Sequence, residues 1–189
     1  MLGKNIVRKF VTLSTVAAVW CVYSMVAFAM PTDLTGEITV SGQVTVNGQA
    51  VVSSSTIMSG ATIATGDSSS ATVNLGKTGR IEISANSNLT LRFTDNSIIA
   101  IVSDGKSKFS NSAGVATTVT SKNATFIADA GQADTFVVEV ECSHTHVDTM
   151  AGMVVMREGT NDKQVVAGST AVAGNLVQTG CKQIGRAHV

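Results

Sequence analysis

Apolar and polar residues alternate in short runs along most of the chain after its first 35 residues. In residues 71–75 and again in residues 89–93, every second residue is apolar and the residues between them are polar. A period of two places alternate side chains on one face of an extended strand. Because glycine, asparagine, aspartate or serine ends each run, the pattern predicts many short β-strands joined by tight turns.

The runs that follow this pattern extend over most of the sequence. They are residues 37–40, 44–46, 50–52, 70–75, 81–83, 89–93, 115–120, 124–128, 135–140, 147–150, 153–156 and 165–167. Residues 98–102 are nearly all apolar, which predicts a strand covered on both faces. No stretch between residues 36 and 174 keeps a helical period. The sequence also lacks an internal repeat of fixed length, which argues against a regular β-helix. We therefore expect a single all-β domain that is roll-like, solenoid-like or sandwich-like.

Two short segments predict specific turns. Asn47-Gly48 is a dipeptide typical of two-residue β-hairpins, because both positions tolerate a positive φ. Gly76-Lys77-Thr78 is similar to the end of a phosphate-binding loop, but Ala71 stands where that motif requires glycine, and a strand rather than a helix follows. We interpret this segment as a hairpin turn.

Residues 1–29 have the three parts of a secretory signal peptide. Lys4, Arg8 and Lys9 precede the uncharged stretch 10–28, and an A-x-A cleavage site ends at Ala29. The alternative is an uncleaved anchor, since the apolar stretch approaches the length of a membrane span. The leader predicts a bacterial periplasmic, secreted or cell-surface protein, which contacts a membrane only through this segment if it is retained.

Composition narrows the candidate functions. Aromatic residues make up 4% of the chain, so the core must be built mainly from Val, Ile, Leu and Ala. Of the 13 basic side chains, three lie in the leader, which leaves 10 basic and 13 acidic groups. A slightly acidic chain without a basic run is a poor candidate for nucleic-acid binding, because phosphate neutralisation requires clustered Lys and Arg.

Two cysteines lie beyond the leader. In an oxidising compartment, Cys142 and Cys181 are candidates for one disulfide, and two free thiols are the alternative. Residues 176–189 lose the alternation and predict an irregular tail. Within it, residues 184–189 look like a translated sequencing adapter, so we exclude them from the fold prediction.

The side chains able to carry chemistry are few. His144 and His146 lie two residues apart, between Cys142 and Asp148, and are weak metal-ligand candidates. Ordinary surface histidines are the preferred interpretation, with a turn near residues 143–144. The acidic side chains have the spacing expected of a solvated strand face; they are Asp129, Asp134, Glu139 and Glu141. There is no Gly-x-Ser-x-Gly nucleophile motif, so we expect neither catalysis nor a cofactor.

Residues 59–73 resemble the central segment of the FecR family. That segment has glycine, two variable residues, an aliphatic residue, one variable residue, Thr-Gly, a turn of small residues, and Ala-x-aliphatic. The matching residues are Gly60, Ile63, Thr65, Gly66, Ala71 and Val73. In this segment we expect Gly66 to adopt a conformation that disfavours a Cβ, Asp67 and Ser68 to bond turn amides, and Ala71 and Val73 to face inward.

The resemblance covers about residues 36–170 and implies an exported FecR-like β domain, which we place at residues 30–175. Well-known family members have a cytoplasmic region that contacts a sigma factor, whereas only nine residues precede the apolar stretch here. The expected function is therefore non-enzymatic binding or scaffolding at the cell envelope, with a protein or polysaccharide partner. The alternatives are a structural or adhesive protein that self-associates, or a minor metal-binding protein.

Overall fold

The structure is a computed structural model that describes residues 34–175 together with Gly3. The chain divides into two compact units, residues 1–33 and 34–189. The described part of the second unit contains sixteen strands and no helix, which confirms the all-β prediction. The strands are β1 (Thr35–Ser41), β2 (Val44–Val46), β3 (Gln49–Ala50), β4 (Ser55–Met58), β5 (Ala61–Thr65), β6 (Ser70–Asn74), β7 (Gly79–Ile83), β8 (Asn88–Phe93), β9 (Ser97–Asn111), β10 (Ala116–Thr120), β11 (Thr125–Ala128), β12 (Asp134–Val140), β13 (His144–Ala151), β14 (Met153–Glu158), β15 (Asn161–Val166) and β16 (Ser169–Gly174).

The strands form one sheet that strand β9 divides into two halves. Half A has the order β4-β1-β6-β7-β9-β12-β13-β16, and half B has the order β15-β14-β11-β10-β9-β8-β5-β2-β3. The second part of β9 pairs with β7 and β12, whereas its first part pairs with β8 and β10. The β9–β10 pair is parallel, so the chain makes a complete turn between the two strands.

Buried side chains from both halves form one hydrophobic core. Ile38, Ile81 and Phe136 come from half A, and Leu89 and Phe126 come from half B. The rings of Phe109 and Phe136 stack with centroids 5.6 Å apart. Alternate residues therefore point into the space between the halves, as in a β-sandwich, and the sequence period of two correctly identifies this inner face.

The chain crosses between the halves repeatedly, and the tightest crossing requires glycine. Gly105 has a φ of +80° at the point where β9 leaves half B, and a Cβ there would lie 2.4 Å from Ser87 Oγ. The turn at Asn47-Gly48 has the positive φ angles expected of it, +52° and +78°, so that prediction is confirmed. The segment Gly76-Lys77-Thr78 joins β6 to β7 as a turn, which confirms the hairpin interpretation.

Two strand predictions are wrong in detail. The apolar run at residues 98–102 is covered on one face only, because Ile99 and Ile101 are 45% and 52% exposed while Ile98 is fully buried. Strand β13 begins at His144, earlier than the predicted residue 147, because the hairpin to β12 closes tightly around residues 142–143.

The buried carboxylate of Asp134 makes hydrogen bonds to segments where the chain crosses between the halves. Asp134 is 2% exposed, although the sequence suggested a solvated strand face. Its Oδ1 accepts hydrogen bonds from Met153 N at 2.9 Å and Gln132 Nε2 at 3.1 Å. Its other oxygen lies 3.5 Å from Asn111 Nδ2, which also donates to Val115 O. These bonds compensate the burial of the charge, so Asp134 has a structural role.

Several sequence predictions lie outside the described residues. They are the signal peptide at residues 1–29, its cleavage at Ala29, the irregular tail 176–189 and the disulfide candidate Cys181. In the part of the chain that the structure describes, no helix has the length and apolarity needed to cross a membrane.

Candidate functional site

The residues shared with the FecR segment build a crossing between the two halves. Strand β5 ends at Thr65, and the buried side chains of Ile63, Ala71 and Val73 point into the core, as expected for Ala71 and Val73. Thr65 Oγ1 donates to Ser84 O at 2.6 Å and accepts from Ser87 N at 3.0 Å. The threonine of the motif therefore ties this crossing to the neighbouring one between β7 and β8.

The conformation of Gly66 and the hydrogen bonds of Asp67 and Ser68 differ from those expected from the sequence. Gly66 is absent from the residues with positive φ, and a Cβ there would make only ordinary contact, 3.4 Å from Gln43. The positive φ belongs to Ser68. Ser69, not Asp67 or Ser68, bonds a turn amide, since its Oγ accepts from Gln43 N at 2.8 Å. Asp67 instead accepts a side-chain hydrogen bond from Asn86 at 2.8 Å.

A cluster of titratable side chains lies on the outer face of half A, where β12 and β13 form a hairpin. Glu141 N donates to His144 O at 2.9 Å, so these two residues face each other across the turn at residues 142–143. His146 lies two residues along β13 and therefore shares the face of His144. The topology thus brings Glu141, His144 and His146 together, and we call these three residues the hairpin cluster.

The distances within the hairpin cluster are short. His144 Nε2 lies 3.1 Å from Glu141 Oε2, and His146 Nε2 lies 3.7 Å from Glu141 Oε1. The two imidazole rings meet edge to face with centroids 4.7 Å apart. One nitrogen or oxygen atom from each of the three residues lies within 4.8 Å of the others. The carboxylate therefore faces both imidazoles.

The surroundings of the hairpin cluster fix its orientation. Ser143 Oγ lies 3.3 Å from His144 Nδ1, the ring nitrogen that faces away from Glu141. The turn is held by Asn123, whose side chain donates to Ser143 O at 3.2 Å and accepts from Thr145 Oγ1 at 3.0 Å. Lys122 Nζ also donates a hydrogen bond to Glu141 O. Lys122 and Asn123 are consecutive residues of the loop between β10 and β11, so these contacts hold the turn against one neighbouring segment.

Glu139 extends this polar region toward the centre of half A. It lies opposite His146 in the strand register, and its Oε2 lies 3.3 Å from Lys106 Nζ on β9. Glu139 does lie on the face opposite Val138, as the alternation indicates, but it is buried rather than solvated. The ion pair with Lys106 balances the charge of the buried Glu139 carboxylate.

The expectation of ordinary surface histidines is also wrong. His144 and His146 are 5% and 6% exposed, although both belong to the outer face. Alternation identifies the face of a side chain, and it contains no information about whether that face is covered. The predicted neighbours Cys142 and Asp148 do not join the cluster, while Glu141 does. The feature of the sequence that could have indicated this cluster is the predicted turn near residues 143–144, because a hairpin there places Glu141 opposite His144.

Cys142 forms a disulfide bond. It lies in the hairpin turn between Glu141 and Ser143, so the covalent link is next to the cluster in sequence. The proposed partner, Cys181, lies outside the described residues, and the pairing stays a prediction.

The outer face of half B has a different chemistry. In the register of β5, β8, β9, β10 and β11, a row of opposed residues runs across the sheet, and a second row includes three residues from the central strands. These eight residues, which we call the Thr/Ile face, are Thr62, Thr90, Ile101, Thr120, Thr125, Ile99, Thr118 and Ile127. The hydroxyls of Thr62 and Thr90 are hydrogen-bonded at 3.0 Å. Ile99 and Ile101 are the most exposed apolar side chains of this face.

An exposed ion pair borders the Thr/Ile face. Arg157 on β14 donates two hydrogen bonds of 2.7 Å to the two carboxylate oxygens of Asp162 on β15. The hydrogen bond from Arg157 lowers the pKa of Asp162, and the same bond raises the pKa of Arg157. This bidentate geometry closes the β14–β15 hairpin at the edge of half B.

Comparisons with known proteins give a fold relationship. No family model and no curated protein match the chain. Two crystal structures of a "putative anti-sigma factor" from Parabacteroides distasonis, at 2.50 and 1.65 Å resolution, are similar to it with a TM-score of 0.52 and 15% sequence identity. Each similarity covers 61% of this chain and 55% of the other one. At this identity the likeness shows a shared fold, which is compatible with the FecR-like pattern of residues 59–73.

Proposed function

We propose that this protein is an exported, FecR-like β domain that binds a protein or polysaccharide at the bacterial cell envelope and has no catalytic activity. The observation that carries the proposal is the fold similarity to the anti-sigma-factor structures, taken with the FecR-like residues at the Thr65 crossing. The signal-like residues 1–29 support export. The FecR assignment rests on residues Gly60 to Val73, whose side chains act in packing and in the crossing.

The chemistry of the described side chains supports binding over catalysis. The buried carboxylate Asp134 accepts hydrogen bonds from Met153 N and Gln132 Nε2, and Glu139 is paired with Lys106. A surface depression of about 340 Å³ is lined by hydroxyl, amide and backbone groups and one carboxylate, Glu37. No histidine, lysine or cysteine accompanies these groups among the described residues of the lining, so the depression lacks the usual partners that activate a hydroxyl for covalent catalysis.

The Thr/Ile face is the surface that we assign to the partner. Threonine presents a methyl and a hydroxyl group, and two exposed isoleucines supply apolar area at its centre. A sheet face of this kind suits another extended surface, since the hydroxyls bond polar groups while the isoleucines are removed from water.

Export and envelope binding are tested on the full-length chain expressed in a Gram-negative host. We expect the protein in the periplasmic fraction or beyond, with Met30 as its first residue. Purified protein should co-sediment with isolated cell envelopes, and Ile99→Asp with Ile101→Asp should weaken this binding at least tenfold. The control Met58→Asp changes an exposed apolar side chain of half A and should leave binding unchanged. A cytosolic product, or wild-type protein that stays in the supernatant, contradicts the proposal.

Self-association is the second candidate, and the edge strands favour it. Among the strands of the described residues, β3, β4, β15 and β16 each pair on one side only. Strand β4 carries the exposed Met58, whereas β15 carries Asp162 and Lys163, which discourage edge pairing. Light scattering that shows oligomers growing with concentration, and a monomer for Met58→Lys, supports this function. A monomer at every concentration eliminates it.

A further inference from the structure

We infer that Glu141, His144 and His146 form a binding site for a divalent transition-metal ion, most suitably Zn²⁺. This inference goes beyond the proposed function and does not depend on it. Two imidazole nitrogens and one carboxylate oxygen are a ligand set that zinc uses in proteins, with one further position for water. His144 and His146 lie on β13 and Glu141 directly follows β12, so a metal ion would link the two arms of one hairpin.

The distances between the ligand atoms suit a tetrahedral ion. Zinc bonds to nitrogen and oxygen are about 2.0–2.1 Å long, so two ligands at a tetrahedral angle lie roughly 3.3 Å apart. The observed separations from Glu141 oxygens are 3.1 Å to His144 Nε2 and 3.7 Å to His146 Nε2. These distances involve the two different oxygens of Glu141, so an ion bound through one of them requires small rotations of the side chains, whose ligand atoms all lie within 4.8 Å of one another.

The hydrogen bonding of His144 also suits a metal ligand. A metal-bound histidine usually uses its other ring nitrogen in a hydrogen bond that fixes the tautomer and the ring orientation. In His144 the nitrogen that faces Glu141 is Nε2, and Nδ1 lies 3.3 Å from Ser143 Oγ. The disulfide at Cys142 and the bonds from Asn123 hold the turn that carries these residues.

The charge of the region favours a cation. With neutral imidazoles, Lys106 and Glu139 balance each other, and the Glu141 carboxylate faces the two rings, while Lys122 Nζ contacts the Glu141 backbone oxygen. The Glu141 side chain is 19% exposed, and those of His144 and His146 are 7% and 8% exposed. A partly dehydrated carboxylate beside two imidazoles gives a stronger attraction for a divalent ion than the same groups in bulk water.

The test is zinc binding by the full chain, purified without a histidine tag. We expect one Zn²⁺ per chain by equilibrium dialysis and elemental analysis, and no comparable binding of Mg²⁺, which prefers oxygen ligands. Glu141→Gln, His144→Gln and His146→Gln should each weaken zinc binding more than about 100-fold, since even second contacts usually contribute 10- to 100-fold. Ser143→Ala should weaken it about tenfold.

Two control variants separate this site from other ligands in the chain. His188→Gln removes the remaining histidine, and Asp148→Asn removes a carboxylate of the same outer face, whose Oδ1 accepts from Thr170 Oγ1 at 2.7 Å. Both should bind zinc like the wild type. If the wild type binds no zinc, or if the triple glutamine variant binds it equally well, the inference is wrong and the hairpin cluster is purely structural.

A spectroscopic measurement on the wild type avoids any dependence on the folding of the variants. Co²⁺ in place of zinc should give the intense visible absorption of a four-coordinate ion, without a sulfur charge-transfer band. Weak six-coordinate absorption would contradict the ligand geometry, and a sulfur band would assign the ion to a cysteine instead.

Discussion

The outer faces of halves A and B are built on the same strand period and have different surfaces. On half A, the residues that point away from the core include the buried Val137, Glu139 and His146. On half B, the corresponding positions are occupied by threonine and by the exposed Ile99 and Ile101. Alternation therefore separates inner from outer side chains reliably, but it does not predict whether an outer side chain is buried. Half A holds an enclosed polar cluster, and half B presents an open surface.

The largest effect on stability should come from a substitution in the core that both halves share. Phe136 is fully buried on β12 and stacks on Phe109. Phe136→Ala should lower the free energy of unfolding by about 4 kcal/mol, because it removes a large side chain and leaves a cavity. Urea unfolding followed by circular dichroism measures this, and one cooperative transition is expected for both halves. Two separate transitions would contradict a shared core.

A substitution at the crossing of β9 should have the next largest effect. Gly105→Ala should cost about 3 kcal/mol of stability, since the Cβ would meet backbone atoms of residues 86–87 and the φ of +80° disfavours a side chain. Gly48→Ala is the matched control, because Gly48 has a φ of +78° and nothing within 4 Å of the added atom. It should cost about 1 kcal/mol. Equal losses in the two variants would argue against a close crossing at Gly105.

Paired carboxylates of half A sharpen the contrast between enclosed and open positions. Glu139 and Glu82 each pair with a lysine of β9, but their side chains are 7% and 43% exposed. Glu139→Gln should cost about 2 kcal/mol, because it removes the ion pair with Lys106 and leaves a buried polar side chain in its place. Glu82→Gln should change stability by roughly 0.5 kcal/mol or less. The reverse order would mean that the outer face of half A is open at Glu139.

The smallest effect concerns the ion pair at the edge of half B. The hydrogen bond from Arg157 lowers the pKa of Asp162, so the stabilisation is present above the unfolded pKa and disappears as the pH falls through the folded one. In Arg157→Gln, the pKa of Asp162 should rise toward its ordinary value. An NMR titration of the carboxyl carbon follows this change. An unaltered pKa would show that the bidentate pair does not persist in solution.

Much of the fold follows from local sequence, and much of the candidate site does not. The strands at residues 71–75 and 89–93 are recognisable because alternation is a local property, and Asn47-Gly48 identifies its own turn. The burial of His146 and Glu139 arises from contacts between segments that are distant in sequence, such as the pairing of Glu139 with Lys106. Gly66 misleads for a related reason, because the positive φ of that turn falls on Ser68.

The outer face of half A is closed around Val137, Glu139 and His146, whereas that of half B is open around Ile99 and Ile101, and thiol labelling distinguishes these two regions. Val137→Cys and Ile101→Cys place one thiol on each outer face, at positions that are 5% and 52% exposed. In the native protein with its disulfide intact, we predict rapid maleimide labelling at position 101 and labelling at position 137 only on unfolding. Similar native labelling rates at the two positions would contradict it.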